Sequence, residues 1–397
     1  MNLDVPGLDS LDLQGKRVLI RVDFNVPMQP LPEGGFRITD DTRIRRALPT
    51  IQRVQAAGGK PILLSHLGRP MGEVVEALRL DPVGMRLAEL SGCNVLKVDE
   101  STGPVPREAI AGASDQTIVL LENVRFHKGE TKGEVELVQA FAALGDCFIN
   151  DAFGTSHRDH ASVAGLARVL PAAAGDLLLA EIAAFRRVLE NPARPLVAIL
   201  GGAKVSDKLT VIDHLLDRVD TILVGGGMAY TFLKARGEGI GNSLVQDDQL
   251  DLVRAATAKA QDKNVKLLLP TDHVVAQAFD AAAATQVLGY IPDDWMALDI
   301  GPKTSAAYCA EIAGAKTVVW NGPMGVFELK PFRAGTESVG RAVADCAGYC
   351  VVGGGDSVAA VEQFGLAESI DHISTGGGAS LELLEGRELP GIAVLGS

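Results

Sequence analysis

The sequence predicts an α/β protein of two domains, each built on a mainly parallel sheet. Three observations carry that expectation. Nine short apolar runs recur along the chain, each followed within two residues by Gly, Asp, Asn or His and then by a segment of helical period, which is the pattern of βα units. The length of 397 residues corresponds to two or three domains of roughly 150 residues. A breaker, NPARP at 191–195, splits the runs into two series.

The first series is VLIRV (18–22), PILLS (61–65), TIVLL (117–121) and CFIN (147–150). The second is LVAIL (196–200), TILVG (221–225), KLLLP (266–270), TVVW (317–320) and CVVGG (350–354). Between them LLLAEIAAFRRVLE (177–190) places apolar residues near helical spacing and predicts a connecting helix. The prolines of NPARP end it, since a proline ring removes an amide donor and constrains the residue before it. The expected domains are therefore 1–176 and a second one starting at 191, joined by 177–190. There is no fixed-period repeat and no low-complexity tract.

Apolar residues make up 47% of the chain and charged residues 22%, ordinary globular usage. The formal net charge of −13 argues against a general binder of nucleic acid or anionic membranes, which favour a basic surface. Any anionic ligand must meet a local cluster of cations. The N-terminal residues carry aspartates and no apolar core, so no secretory or transit signal is expected. The longest apolar stretches fall far short of the roughly 20 residues that span a bilayer. Five scattered cysteines without a CxxC suit reduced thiols in a cytoplasmic compartment.

In open α/β sheets ligands bind beyond the carboxyl ends of the strands, so the residues after each run carry the chemistry. In the first half these are Asp23 and Asn25 (RVDFNVP), His66 and Arg69 (SHLGRP), Arg125 (LENVRF) and Arg158 (FGTSHRDH). Guanidinium forks bind phosphate and carboxylate bidentately, so the set fits a small phosphorylated carboxylate. One such arginine alone is as well explained by a helix cap or a surface ion pair; the set at successive strand ends is not.

The second half offers glycines instead: GGAK (201–204), GGGMA (225–229) and GGGDS (353–357). Glycine permits close backbone approach, and a helix N-terminus adds oriented N–H groups, which suits a nucleotide. Tight turns also use glycine for purely structural reasons. Lys204 and Lys208, four apart, are expected on one helical turn facing a polyphosphate. Asp356 is the expected Mg²⁺ carboxylate, magnesium preferring a few carboxylate oxygens together with phosphates; the alternative is a cap for the helix that follows.

Several motifs point elsewhere and fail. HRD at 157–159 lacks the companion residues of a protein kinase. Neither G-x-G-x-x-G nor a Walker A motif occurs, which counts against a nicotinamide-dependent dehydrogenase and a P-loop enzyme. His157 and His160 have no third ligand nearby in sequence, so no metal site is expected there.

Taken together, RVDFNVP, SHLGRP, LENVRF, INDAFGTSHR, GGAKVSDK, VGGGMA, WNGPMGVFE, GGGDS and TGGGAS resemble the phosphoglycerate kinase family, in order and over nearly the whole chain. The resemblance implies two Rossmann-like domains joined by a helix and hinge, with the C-terminal segment, about 376–397, returning to the first domain, so that the second domain is 191–375. It implies acid-substrate contacts at Asp23, Asn25, Arg43, His66, Arg69, Arg125 and Arg158. Nucleotide contacts fall on Lys204, Lys208, Glu328, Gly354, Gly355, Asp356 and Ser357, with Glu328 at the ribose and Ser357 where many relatives have Thr. Catalytic roles fall on Arg43, Lys204 and Gly377, the metal is Mg²⁺ bound with ADP or ATP, and a cytoplasmic monomer is implied. The implied reaction is reversible phosphoryl transfer between 1,3-bisphosphoglycerate and ADP, giving 3-phosphoglycerate and ATP. In reverse the attacking carboxylate is already ionised at pH 7, its reference pKa being near ~3.5 to 4, so the site needs cations and no general base.

Overall fold

The computed structural model describes residues 3–32 and 34–396. The chain divides into two compact units, Met1–Ala183 with Glu388–Ser397, and Ala184–Arg387.

In the first unit the strands are β1 (Arg17–Arg21), β2 (Met28–Pro30), β3 (Phe36–Ile38), β4 (Lys60–Leu64), β5 (Val95–Lys97), β6 (Ile118–Leu120), β7 (Cys147–Asn150) and β8 (Ala172–Ala174). Six of them form one parallel sheet in the order β5-β6-β4-β1-β7-β8, and β2 pairs with β3 as an antiparallel hairpin. Successive side chains of a strand point to opposite faces, and here both faces are covered. Val18 and Ile20 enter one core and Leu19 the other. That double burial is why β1 reads as a continuous apolar run. From β1 the chain passes to β4 on one side and later to β7 on the other, so the strand order reverses at β1 and a crevice opens at its carboxyl end.

The second unit contains β9 (Leu196–Leu200), β10 (Thr221–Val224), β11 (Lys266–Leu268), β12 (His273–Ala276), β13 (Thr285–Leu288), β14 (Met296–Ile300), β15 (Thr317–Asn321), β16 (Tyr349–Gly353) and β17 (His372–Ile373). Its parallel sheet runs β11-β10-β9-β15-β16-β17, and the order reverses at β9, between β10 and β15. A separate antiparallel sheet, β13-β12-β14, lies outside the expected all-parallel pattern.

All nine apolar runs lie on strands, with ends shifted by no more than two residues. Some of the strands the sequence did not announce are short or exposed, β8 being three alanines and β13 facing solvent along most of its length, whereas β12 and β14 are four and five residues long and mostly buried. Such segments are strands because a neighbour pairs with them.

The connecting helix spans Asp176–Leu189, and the unit boundary falls within it. Its first N–H groups need acceptors, and Asp151 supplies one: Oδ1 accepts from Leu177 N at 3.0 Å and Leu178 N at 3.2 Å. At the C-terminus the return begins later than 376. Helix Gly378–Leu384 packs on helix Leu209–Leu215 of its own unit, where His214 Nδ1 meets Leu384 O at 2.8 Å. Only Glu388–Ser397 belongs to the first unit. Asn150 Nδ2 donates to Gly391 O there at 2.9 Å, and Gly391 N to Ser156 O at 2.8 Å. All five cysteines are free thiols, and no helix among the described residues is long and apolar enough to cross a membrane.

Candidate active site

In the first unit the parallel pairing of β1 with β4 sets the residues that follow the two strands side by side. Asp23 and His66 meet there, with His66 Nδ1 3.8 Å from Asp23 Oδ1. Arg43, in the first turn of helix Thr42–Ala56, donates from Nη1 to Asp23 Oδ2 at 2.5 Å. Asn25 Oδ1 accepts from Gly68 N at 2.8 Å, and Arg125 Nη1 donates to Gly68 O at 2.8 Å. Arg125, Arg69 and Arg158 line a cavity of about 590 Å³ together with His127, Lys128 and Lys132. All seven residues expected to bind the acid substrate thus lie in this unit. Arg69, Arg125 and Arg158 face that cavity, and Gly68 ties Asn25 to Arg125.

The electrostatics follow from burial among cations. Burial pushes the His66 pKa well below its ordinary value against the opposing pull of Asp23, and Arg21, Arg125 and Arg43 lower it further. His66 is therefore neutral at pH 7. Burial alone would raise the Asp23 carboxyl, but His66, whose ring carries charge only in acid, then Arg43 and Arg21, hold it at about 2. A carboxyl with a depressed folded pKa contributes stability above its unfolded pKa and loses it as pH falls through the folded value. Asp23 is expected to contribute about 2 kcal/mol that disappears between roughly pH 4 and pH 2. Urea unfolding across that range should show Asp23→Asn with a flatter dependence; equal slopes for the two proteins would contradict it.

Arg21 and Glu130 were not expected. Arg21 ends β1 fully buried, with Nε donating to Ser162 Oγ at 2.9 Å, Nη1 to Val22 O, and Nη2 3.2 Å from His66 Nδ1. A cation inside the apolar run VLIRV was the visible signal. Glu130 is also fully buried, its Oε1 accepting from Ser162 Oγ at 2.6 Å and its Oε2 from Ser162 N at 3.0 Å. It sits in a 3₁₀ turn, Glu130–Lys132, without any periodic signal.

In the second unit a cavity of about 710 Å³ lies beyond β9, β10 and β15 and is lined by Gly202, Gly226, Leu244, Phe279, Glu328 and Asp356, among others. Glu328 and Asp356, both expected at the nucleotide, face it. Part of the glycine signal has another cause. A Cβ at Gly201 would lie 2.0 Å from Pro323 O, one at Gly225 2.5 Å from Met324 Sδ, and one at Gly226 2.6 Å from Gly202 N. These glycines let three loops touch one another. Gly202 and Gly355 have open space where a Cβ would stand, as a backbone that admits a ligand requires.

Lys204 and Lys208 do not share an α-helical turn. Lys204 is extended and precedes a 3₁₀ turn, Val205–Asp207, and the α-helix starts only at Leu209. Lys204 is exposed, while half-buried Lys208 donates to Asn321 Oδ1 at the end of β15. Burial lowers the Lys208 pKa against the pull of Asp207, Asp356 and Glu385. Asp356 does not cap a helix: helix Gly355–Gln363 has Gly354 as its N-cap and no capping side chain, and Asp356 sits exposed in the first turn. Ser357 is buried, its Oγ accepting from Gly322 N at 2.5 Å, so its hydroxyl fastens the loop after β15. Gly377 takes φ +49 as N-cap of helix Gly378–Leu384 and has open space at its Cβ position.

A metal that resides permanently needs several ligands, and no group of three or more His, Cys, Asp or Glu able to hold one occurs among the described residues. The exposed carboxylate of Asp356 fits Mg²⁺ that arrives already bound to phosphates.

Comparison with known proteins adds to this geometry. A family model described as phosphoglycerate kinase matches residues 8–387. Among solved structures, phosphoglycerate kinase from Coxiella burnetii superposes with a TM-score of 0.88 at 43% sequence identity, covering 99% of each chain. Phosphoglycerate kinase from Pyrococcus horikoshii OT3 superposes with a TM-score of 0.85 at 32% identity, covering 98% of each chain.

Proposed function

The chain belongs to the phosphoglycerate kinase family, and from that premise we propose how its own residues divide the work. It is a phosphotransferase with a carboxyl group as acceptor, exchanging a phosphoryl group between 1,3-bisphosphoglycerate and ADP in glycolysis. The observation that carries the assignment of roles is the split between a cationic cluster at the β1 switch point and a glycine-lined cavity at the β9 switch point.

Arg69, Arg125 and Arg158 bind the phosphate end of the acid substrate, while Asp23, Asn25 and His66 fix its polar backbone. The Arg125 Nε–H is buried without an acceptor, a donor that an anionic substrate satisfies. Lys204, exposed at the carboxyl end of β9, meets the migrating phosphoryl group from the nucleotide side, and Arg43 meets it from the acid side. Lys208, Gly354, Gly355 and Gly377 supply charge and backbone N–H groups, Ser357 holds the loop that carries Glu328, and Glu328 meets the ribose. The acid's carboxylate attacks without a general base, so positioning and charge stabilisation carry the catalysis. Mg²⁺, when bound, neutralises phosphate oxygens.

Asp356 would hold that Mg²⁺. Because it makes no capping bond, Asp356→Asn should leave thermal stability unchanged while lowering turnover roughly tenfold or more and raising the magnesium needed for half-maximal rate. The assay is 3-phosphoglycerate with MgATP, coupled to NADH oxidation by the next dehydrogenase. Wild-type turnover and magnesium dependence would remove Asp356 from the metal site.

Transfer needs the reacting oxygen and phosphorus about 3 to 3.5 Å apart, yet the two sets of contacts belong to different units. We therefore expect closure, with bending at the ends of Asp176–Leu189 and near TGGGAS. Small-angle scattering should give a radius of gyration that falls most in an unreactive ternary complex; no change with both substrates bound would count against closure. The free thiols fit a reducing cytoplasm. One chain carries both sets of contacts, which fits a monomer.

A further inference from the structure

Behind the acid-binding residues lies a buried polar chain that ends on His66 and whose other members, Arg21, Glu130 and Ser162, have no part in the reaction as described. Arg21, His66, Glu130 and Ser162 come from four separate segments and are all buried. Ser162 sits in a π-helical turn, Ala161–Gly165, an irregularity that often marks functional positions. Its hydroxyl accepts from Arg21 Nε and donates to Glu130 Oε1, and its N–H donates to Glu130 Oε2. Glu130 thereby fixes the serine, and the serine at Nε, together with Val22 O at Nη1, fixes the guanidinium plane.

The consequence reaches His66. A guanidinium has only donors, so the ring nitrogen 3.2 Å from Arg21 Nη2 must be an acceptor. A proton on Nδ1 would set donor against donor. Asp23 Oδ1, which would favour that proton, is more distant at 3.8 Å. We propose that Glu130 and Ser162 are positioning residues that act through Arg21 to hold His66 as the neutral tautomer protonated on Nε2, leaving Nε2–H as the donor to the acid substrate. The downward shift of the His66 pKa by burial and by Arg21, Arg125 and Arg43 agrees with a neutral ring. His160, with Nδ1 3.8 Å from Glu130 Oε1, is the other histidine at this chain, and burial also keeps its pKa low, at about 4.

The last step, from tautomer to substrate, rests on the reading that His66 contacts the acid; the tautomer itself does not. Nitrogen-resolved NMR of the histidine rings in the full-length free enzyme at pH 7, with His66 assigned by its loss in His66→Gln, measures the tautomer directly. Wild type should show Nε2 protonated and Nδ1 bare. Ser162→Ala should populate both tautomers and raise KM for 3-phosphoglycerate roughly tenfold, the scale of one lost hydrogen bond, with KM for ATP within about twofold. Glu130→Gln, which keeps one oxygen for the Ser162 hydroxyl but turns an NH2 donor toward the Ser162 N–H, should shift the tautomer less than Ser162→Ala does. A wild-type ring protonated on Nδ1 overturns the proposal even if no variant folds, and so does a folded Ser162→Ala protein with an unchanged ring. Wild-type KM for 3-phosphoglycerate in His66→Gln, with the tautomer confirmed, would instead remove His66 from the acid site.

Discussion

Arg43→Ala is expected to lower kcat by roughly 10² to 10⁴, the range found when an oxyanion-type donor or an arginine finger is removed, with little change in KM for the nucleotide. The guanidinium carries five donors, and the ion pair with Asp23 shown by the structure runs through Nη1. Its side chain is 33% exposed, so part of it is accessible to a ligand. Two effects follow from removing it: a positive charge leaves the migrating phosphoryl group, and Asp23 loses one of the cations that hold its pKa at about 2. Arg43→Lys separates them, because it restores a charge near Asp23 without the planar fork. Partial rescue by lysine would assign the loss to charge, and no rescue would assign it to the fork. An arginine that only decorates the helix surface predicts unchanged turnover, and wild-type kcat in Arg43→Ala at saturating substrates would establish that role instead.

What was legible in the sequence was whatever a single segment encodes. Asp23, His66, Arg125 and Arg158 stand just beyond buried strands, and the switch-point rule turns that position into a ligand site. Arg21 showed itself only as an odd cation in VLIRV, since whether a buried charge is compensated depends on segments more than a hundred residues away, such as the turns carrying Glu130 and Ser162. Sequence spacing misled at Lys204 and Lys208, where four residues suggested one helical turn and the chain instead makes a 3₁₀ turn before its helix. The antiparallel sheet β12–β14 was illegible for a related reason: the exposed TQVL of β13 is a strand because β12 pairs with it. Glycine was the most ambiguous letter. The same GG pattern serves loop-against-loop packing at 201 and 225 and open backbone at 202 and 355.

That ambiguity yields the second large effect, a contrast between Gly201→Ala and Gly355→Ala. At Gly201 the new methyl carbon would lie 2.0 Å from Pro323 O and 2.7 Å from Gly322 O, and backbone atoms cannot swing aside as a side chain would. The loop after β15 must move, although Gly201 N to Asn321 O at 3.0 Å and Gly202 N to Pro323 O at 3.1 Å tie it in place. Overpacking of this kind costs about 2 to 4 kcal/mol, which should lower the Tm of the second unit by roughly 5 to 15 °C. Nucleotide affinity should fall with it, because the displaced loop carries Glu328. Gly355 is the opposite case. It opens helix Gly355–Gln363, no atom lies within 4 Å of its Cβ position, and its φ is not left-handed. Alanine there should hold or raise stability by about 0.4 to 1 kcal/mol through the unfolded state. If phosphates approach that backbone, however, the same methyl group intrudes on the ligand and weakens ATP binding without touching the fold. Thermal unfolding and ATP titration calorimetry on the two variants therefore separate glycine kept for packing from glycine kept for a ligand. A wild-type Tm in Gly201→Ala would show that the loops can part at no cost, and wild-type ATP affinity in Gly355→Ala would take the nucleotide away from that helix start.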